Sequence, residues 1–96
     1  MPIFELEFLP SARKEWDKLD KSVRNQFARK IAERLVAPRI ASARLSGMAD
    51  CYKIKLRAAG YRLVYRVEDK RVTVVVIAVG RRDRNVAYKA AEKRIG

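Results

Sequence analysis

Residues 72–79 read Val-Thr-Val-Val-Val-Ile-Ala-Val, and this run constrains the chain more than any other. Consecutive β-branched residues suit an extended strand. A strand that is apolar on both faces belongs in the middle of a sheet. The run is also far short of the ~20 residues that span a bilayer. With 96 residues in all, the chain has the length of one domain, expected over residues 1–96 and small enough to have little stability to spare.

The flanking segments supply the rest of that sheet. Residues 51–57 and 61–67 alternate apolar and polar side chains, as half-buried strands do. Residues 58–60 and 68–70 are short enough for hairpin turns, and Gly60 can take a positive φ. Residues 3–8 also alternate, with Phe4, Leu6 and Phe8 on one face, which predicts a strand at or near an edge. Pro10 suits the first turn of a helix in which Ala12, Trp16 and Leu19 share a face. Asp20 can cap a second helix, where Val23, Phe27, Ile31 and Leu35 recur at steps of four until Ala37-Pro38 ends it. Residues 9–37 therefore predict a helical hairpin with one face on the sheet. Residues 38–50, with Pro38, Ser42, Ser46 and Gly47, read as a linker. After Gly80 a last helix is expected to turn Val86, Ala90 and Ala91 toward the sheet. The fold class is α+β: a mostly antiparallel sheet packed by an N-terminal helical hairpin and a C-terminal helix.

Charge narrows the function. Twenty-three Lys and Arg against eleven Asp and Glu leave a net +12. The excess is uneven, at −2 over residues 1–20, +6 over 21–48 and +8 over 49–96. Such a field predicts a polyanionic partner, nucleic acid ahead of anionic lipid. The start of the chain lacks the basic and apolar regions of a signal peptide, and no membrane partner is expected. A single cysteine, Cys51, excludes an internal disulfide and points weakly to a reducing, cytoplasmic compartment. Histidine is absent, which removes His-dependent metal sites and any His base. Neither a metal nor another cofactor is expected. Cys51 reads as a small strand residue, because its catalytic use would want a histidine.

Register turns the basic residues into a candidate site. A turn centred on residues 59 and 60 pairs Arg57 with Arg62, Lys55 with Val64 and Lys53 with Arg66. Lys53, Lys55, Arg57, Arg62 and Arg66 then share one sheet face. A slip of one residue would bury charge, which its cost forbids. Like charges set opposite each other are destabilising. An ordinary solvated face would carry acidic neighbours, and residues 51–67 contain none. A platform for phosphates accounts for the pattern better. Arg81, Arg82 and Arg84 add to it at a strand–helix junction. Tyr88 lies six residues beyond Arg82, and spacing alone reads it as a core or rim aromatic; Trp16 reads as core.

Without histidine or a carboxylate cluster, metal-assisted hydrolysis is a poor fit. RNA cleavage asks for less, because the 2′-hydroxyl is its own nucleophile. The protein must take the 2′ proton, steady the charge at phosphorus and protonate the leaving 5′ oxygen. Lysine (pKa ~10.4) and tyrosine (~10) are poor bases at neutral pH, but crowded cations depress a neighbour's pKa. A binding domain without activity fits the composition equally well.

The stretch Arg44-Leu45-Ser46-Gly47, then residues 50–57 (Asp-Cys-Tyr-Lys-Ile-Lys-Leu-Arg), residues 60–65 (Gly-Tyr-Arg-Leu-Val-Tyr), Val79-Gly80-Arg81-Arg82 and Tyr88 closely resembles the RelE toxins of bacterial and archaeal toxin–antitoxin pairs. The likeness covers essentially the whole chain, including Lys14-Glu15-Trp16 and residues 37–40. It implies a RelE-like fold and a metal-independent, ribosome-dependent endoribonuclease that cuts mRNA in the A site and leaves a 2′,3′-cyclic phosphate. It implies a RelB-like antitoxin, acidic and helical, that displaces the last helix, with operator DNA reached only through that antitoxin. The family's active residues fall on Lys53, Lys55, Arg62, Arg82 and Tyr88. By the resemblance, Tyr88 stacks on a base and orients or deprotonates the 2′-hydroxyl, with Lys53 the rival base. Lys55 and Arg62 stabilise the transition state, and Arg82 stabilises it or donates a proton. Arg44, Arg57, Arg66, Arg81, Arg84, Lys14, Lys18 and Lys21 are candidate RNA and ribosome contacts, as are Arg13, Arg24, Arg29 and Lys30. Where the family often has a basic residue before the loop glycine, this chain has Ser46, which bears on one ribosomal RNA contact. The related ParE toxins, which act on DNA gyrase, lack the Lys/Lys/Arg/Arg/Tyr set.

Overall fold

The computed structural model describes residues 3–95; Met1, Pro2 and Gly96 lie outside the described residues. Strand β1 (Glu5–Phe8) leads into helices α1 (Pro10–Asp17) and α2 (Lys21–Val36), then strands β2 (Cys51–Leu56), β3 (Tyr61–Glu68) and β4 (Thr73–Arg81), and helix α3 (Val86–Ile95). The strands lie in the order β1-β4-β3-β2. β1 runs parallel to β4 and the other two pairs are antiparallel. β4 is thus interior, as its composition demands, and Thr73 to Val79 are all buried. β1 is the edge strand expected, with Leu6 38% exposed and Phe4 and Phe8 only partly buried. Among the described residues, no helix is long and apolar enough to cross a membrane.

Each sheet face has its own cover. On one side Phe27, Ile31, Val23 and Ala12 of the hairpin pack with Tyr52, Ile54, Leu63, Tyr65, Val74 and Val76. Trp16 is half-buried there, 5.3 Å from the Phe8 ring and 6.2 Å from the Phe27 ring. On the other side Ala87 and Ala91 of α3 pack with Cys51, Val64, Val75, Ile77 and Ala78. A β-bulge in β4 makes this division possible. Val64 pairs with Ala78 but Tyr65 with Val76, so Ile77 is an extra residue. The consecutive Ile77 and Ala78 both join the α3 side, where strict alternation would have split them.

Four sequence expectations need correction. The β2–β3 register sets Lys55 opposite Arg62, Lys53 opposite Val64 and Cys51 opposite Arg66, two residues from the pairing expected. The cause is a four-residue turn over 57–60, closed by the Gly60 N–H donating to the Leu56 carbonyl at 2.8 Å, with Gly60 at φ 74°. A two-residue shift keeps every side chain on its face, but it takes Arg57 out of the strand and into the turn. Asp20 does precede α2, yet its side chain makes no capping bond; its backbone carbonyl accepts the Arg24 N–H at 2.9 Å. On α3 the buried residues are Ala87 and Ala91, whereas Val86 is 45% exposed and Ala90 only partly buried. Left-handed Arg84 and Asn85 just before the helix shift its phase by one residue. Residues 38–50 are a packed segment: Pro38, Ala43 and Met48 are buried, and Arg44 forms a bridge with Tyr52 beside β2.

One buried hydroxyl ties that segment to both layers. Tyr65 Oη donates to the Pro38 carbonyl at 2.6 Å and accepts from Arg34 Nη1 at 2.9 Å, while the same Arg34 nitrogen donates to the Lys53 carbonyl at 3.1 Å. Removing the hydroxyl leaves polar groups short of a partner in a site water does not reach. Tyr65→Phe should therefore lower unfolding free energy by about 1–3 kcal/mol, read as a lower urea midpoint at unchanged m-value. A loss under about 0.3 kcal/mol would show that the hydroxyl is not the tie between these elements.

Candidate active site

Two strands, the end of a third and a helix build the site. β2 presents Lys53 and Lys55, and β3 sets Arg62 directly across from Lys55. At the end of β4 the Arg82 N–H donates to the Gly60 carbonyl at 2.9 Å, so the strand–helix junction is fastened to the β2–β3 turn. Lys55, Arg57, Arg62 and Arg82, with Leu56 and Tyr61, line a groove of about 280 Å³. Lys53 opens into a neighbouring groove of about 320 Å³, whose cations are Lys30, Arg34, Lys53, Lys55 and Arg57. Lys55 and Arg57 are common to both. A wider hollow of about 440 Å³ over residues 44–49 carries Arg44 as its one cation. The charges converge in the two smaller grooves.

Tyr88 enters from α3. The Arg62 guanidinium carbon lies 5.1 Å from the centre of the Tyr88 ring, and Arg62 Nη1 donates to Asn85 Oδ1 at 3.0 Å. The Tyr88 hydroxyl is buried without a hydrogen-bond partner among the described residues. Burial holds its pKa above the ordinary tyrosine value, against the pull of Arg62. A phenol in that state keeps its proton at neutral pH. Lys55 is shifted the opposite way: Lys53 first, then loss of hydration, Arg62 and Arg57 push its pKa below the ordinary lysine value. The site therefore crowds its lysine toward losing a proton and holds its tyrosine back from doing so.

These cations are free of acids. Among the described residues, the ion pairs involve none of Lys53, Lys55, Arg57, Arg62, Arg81, Arg82 and Arg84. Arg66 is different. It shares the sheet face but lies opposite Cys51 and pairs with Glu68 at 3.3 Å, four residues along β3 from Arg62. Arg81 turns to the other side, its guanidinium 5.4 Å from the Tyr61 ring. Arg84 is exposed at φ 57°, and Arg44 is exposed beside Tyr52. Lys14, Lys18 and Lys21 are exposed on the hairpin layer, across the sheet from Tyr88. No sequence pattern points to two residues that shape the site: Asn85, which orients Arg62, and Arg34, which reaches across from α2 to the Lys53 carbonyl. Both act through contacts 19 or more residues distant in the chain. Among the described residues, no three His, Cys, Asp or Glu side chains gather as metal ligands would.

The Lys55 shift gives a direct test. In ¹³C-labelled protein the Lys55 ε-carbon should titrate at lower pH than the other lysine signals. Lys53→Met removes the largest source of repulsion, so it should move that titration upward. A Lys55 midpoint indifferent to Lys53→Met would mean the two ammonium groups do not face each other.

Several known proteins are similar to this chain. The family described as "ParE toxin of type II toxin-antitoxin system, parDE" matches residues 6–86. The mRNA interferase toxin RelE of Escherichia coli strain K12 is 54% identical over 90 residues, covering 94% of this chain and 95% of that protein. A putative RelE-like toxin protein of Escherichia coli is 48% identical over 92 residues, covering 96% and 97%. Among solved structures, a doubly substituted E. coli toxin RelE in the free state superposes with a TM-score of 0.91 at 49% identity, covering 99% of this chain and all of that one. The intact E. coli RelBE toxin–antitoxin complex contains a chain that matches with a TM-score of 0.81 at 53% identity, over 84% of this chain and 99% of that one.

Proposed function

The chain belongs to the RelE-type toxins of the RelE/ParE superfamily, and from that premise we propose that it is a metal-independent endoribonuclease that cleaves mRNA in the ribosomal A site and so stops translation. The observation that carries this reading is the groove where Lys55, Arg57, Arg62 and Arg82 meet without acidic partners, with Tyr88 stacked beneath Arg62. An RNA phosphate is the ligand such a groove suits. It brings the negative charge that offsets the crowding, and the reaction raises that charge.

In the reaction the 2′-oxygen attacks phosphorus and the P–O5′ bond breaks, leaving a 2′,3′-cyclic phosphate and a 5′-hydroxyl. Arg62 and Arg82 remain cationic throughout and oppose the charge that grows on the non-bridging oxygens. The 2′-hydroxyl proton passes to the lysine pair, Lys55 being the member whose proton its neighbours loosen. The departing O5′ takes a proton from the lysine pair, whose charged member supplies it as the other accepts the 2′ proton, so the pair's total proton count is unchanged over the reaction. Tyr88, whose pKa burial holds above the ordinary tyrosine value, offers a ring for base stacking beside Arg62. A slow intrinsic base fits an enzyme that leaves substrate alignment to the ribosome. Arg57, Arg44 and Arg84 extend the cationic surface toward ribosomal RNA, while Arg81 faces the other side beside Tyr61. Arg66, already paired with Glu68, contributes less, and Lys14, Lys18 and Lys21 supply a second contact on the hairpin side. The cognate partner is an acidic, helical RelB-like antitoxin, through which operator DNA is reached, and the compartment is the cytoplasm.

The first experiment incubates the protein with a defined mRNA, with and without programmed ribosomes whose A site is empty, and maps the ends. Cuts on the ribosome alone, inside the A-site codon and ending in cyclic phosphate, are expected. Bound ribosomes with intact mRNA would leave a basic binding module. Because the matching family carries a ParE description, gyrase supercoiling is assayed in parallel and should be unaffected. Arg82→Ala should slow single-turnover cleavage by about 10²–10³-fold while ribosome affinity changes little. Equal losses in both would reduce Arg82 to a docking residue. Ribosome affinity should also fall steeply and log-linearly with salt; a flat response would remove the basic face as the docking surface.

A further inference from the structure

β1 stops pairing at Phe8, opposite Val76, and β4 runs on for five more residues. Side chains from two distant helices serve its backbone there. Glu15 Oε1, from α1, accepts the Val79 N–H at 3.0 Å. Arg94 Nη1, from the last turn of α3, donates to the carbonyl of Ile77, the bulge residue, at 2.8 Å. The two side chains also grip each other through both guanidinium nitrogens and both carboxylate oxygens, at 2.8 and 3.0 Å. Only about a quarter of each side chain is exposed. Such bidentate, charge-assisted pairs fix orientation more strongly than a single bond.

The rest of the hold on α3 is modest, with Tyr88, Ala90 and Ile95 only partly buried against the cluster beneath it. Its fully buried side chains are two alanines, Ala87 and Ala91, which bring little apolar area. Its entry is strained: Arg84 and Asn85 sit at φ 57° and 53°, a region non-glycine residues avoid. Gly80 lets the first turn lie close, since a Cβ there would meet Val86 Cγ1 at 3.1 Å. Tyr88 rides between the strained entry and the Arg94 anchor; among the described residues its hydroxyl has no hydrogen-bond partner, and Arg62 is the side chain against its ring. Its place over Arg62 is therefore inherited from the seat of the helix.

We propose that Glu15 and Arg94 are positioning residues of the nuclease: their clasp on the β4 bulge seats α3, and that seat sets Tyr88 against Arg62. This rests on the reading of Tyr88 as a site residue. Glu15 and Arg94 line neither groove, so the influence proposed for them on cleavage is carried by α3 to Tyr88.

A double-mutant cycle on the full chain tests it, with A-site cleavage, ribosome affinity and amide exchange read for Arg94→Ala, Tyr88→Ala and the double variant. Arg94→Ala should slow single-turnover cleavage by about 10- to 100-fold with ribosome affinity little changed. Exchange should accelerate in α3 while β3 and β4 stay protected. In the Tyr88→Ala background the same substitution should add less than about 2-fold, because residues acting as one unit are not additive. Arg94→Lys, which keeps charge but not the fork, should fall between, and Glu15→Gln, which keeps an acceptor for Val79, should do likewise. Both guard against a variant that merely fails to fold. A full, independent factor in the Tyr88→Ala background, or α3 exchange unchanged by Arg94→Ala, overturns the proposal. Parental cleavage by Tyr88→Ala would bring down the site reading and the positioning role with it, while the exchange data would still report whether the clasp holds α3.

Discussion

The architecture hangs on β4. A strand buried from Thr73 to Val79 needs a partner on each edge and a cover on each face, and the chain meets those four demands with unequal means. The helical hairpin covers one face with large side chains, Phe27 and Ile31 among them. α3 covers the other with alanines, and that cover is incomplete beyond Cys51 on β2 and Val64 on β3. The part of that face left open is where Lys53, Lys55 and Arg62 stand. The site is thus a consequence of incomplete cover: the same strand that forces a second layer also sets the limit of how far that layer extends.

Much of this was legible in the sequence because two periods are robust. The period of two in β2 and β3 put Lys53, Lys55 and Arg62 on one face even though the expected pairing was two residues off, since an even shift changes partners and not faces. The period near four in α2 identified Val23, Phe27 and Ile31 as its buried stripe. What failed were features that depend on one residue more or less. The left-handed pair Arg84 and Asn85 rotates α3 so that Ala87, not Val86, meets the sheet. The bulge at Ile77 places neighbours on the same side. Local pattern carries no trace of either.

A second kind of feature was beyond reach for a different reason. Tyr65 bonds to Pro38 and Arg34, Arg94 to Glu15, and Arg39 to both Asp50 at 2.8 Å and Asp69 at 2.7 Å. Each joins residues far apart in sequence, and each partner alone reads as an ordinary polar residue. Residues 38–50 accordingly read as a linker, although Arg39 pins the start of the segment to its own end through Asp50 and to the β3–β4 loop through Asp69. Tyr88 belongs here too: a lone tyrosine on a helix says nothing until Arg62 is seen over its ring.

Among the arginines themselves the structure separates two populations. Arg39, Arg71 and Arg94 are spent on carboxylates and backbone, where they fasten loops and a helix. Arg57, Arg62 and Arg82 are left without acids around a groove that also crowds Lys55. Surface ion pairs are worth little on average, so neutralising the second group would have gained little stability, and its absence tells about function more than about folding. The crowding has a chemical consequence that a neutralised face would lack. It lowers the lysine that sits amid the cations, while burial raises the tyrosine that sits beneath them. The lysine is thereby held below its own ordinary value and the tyrosine above its own, so in a site without histidine the crowding works to loosen one proton while burial works to retain the other.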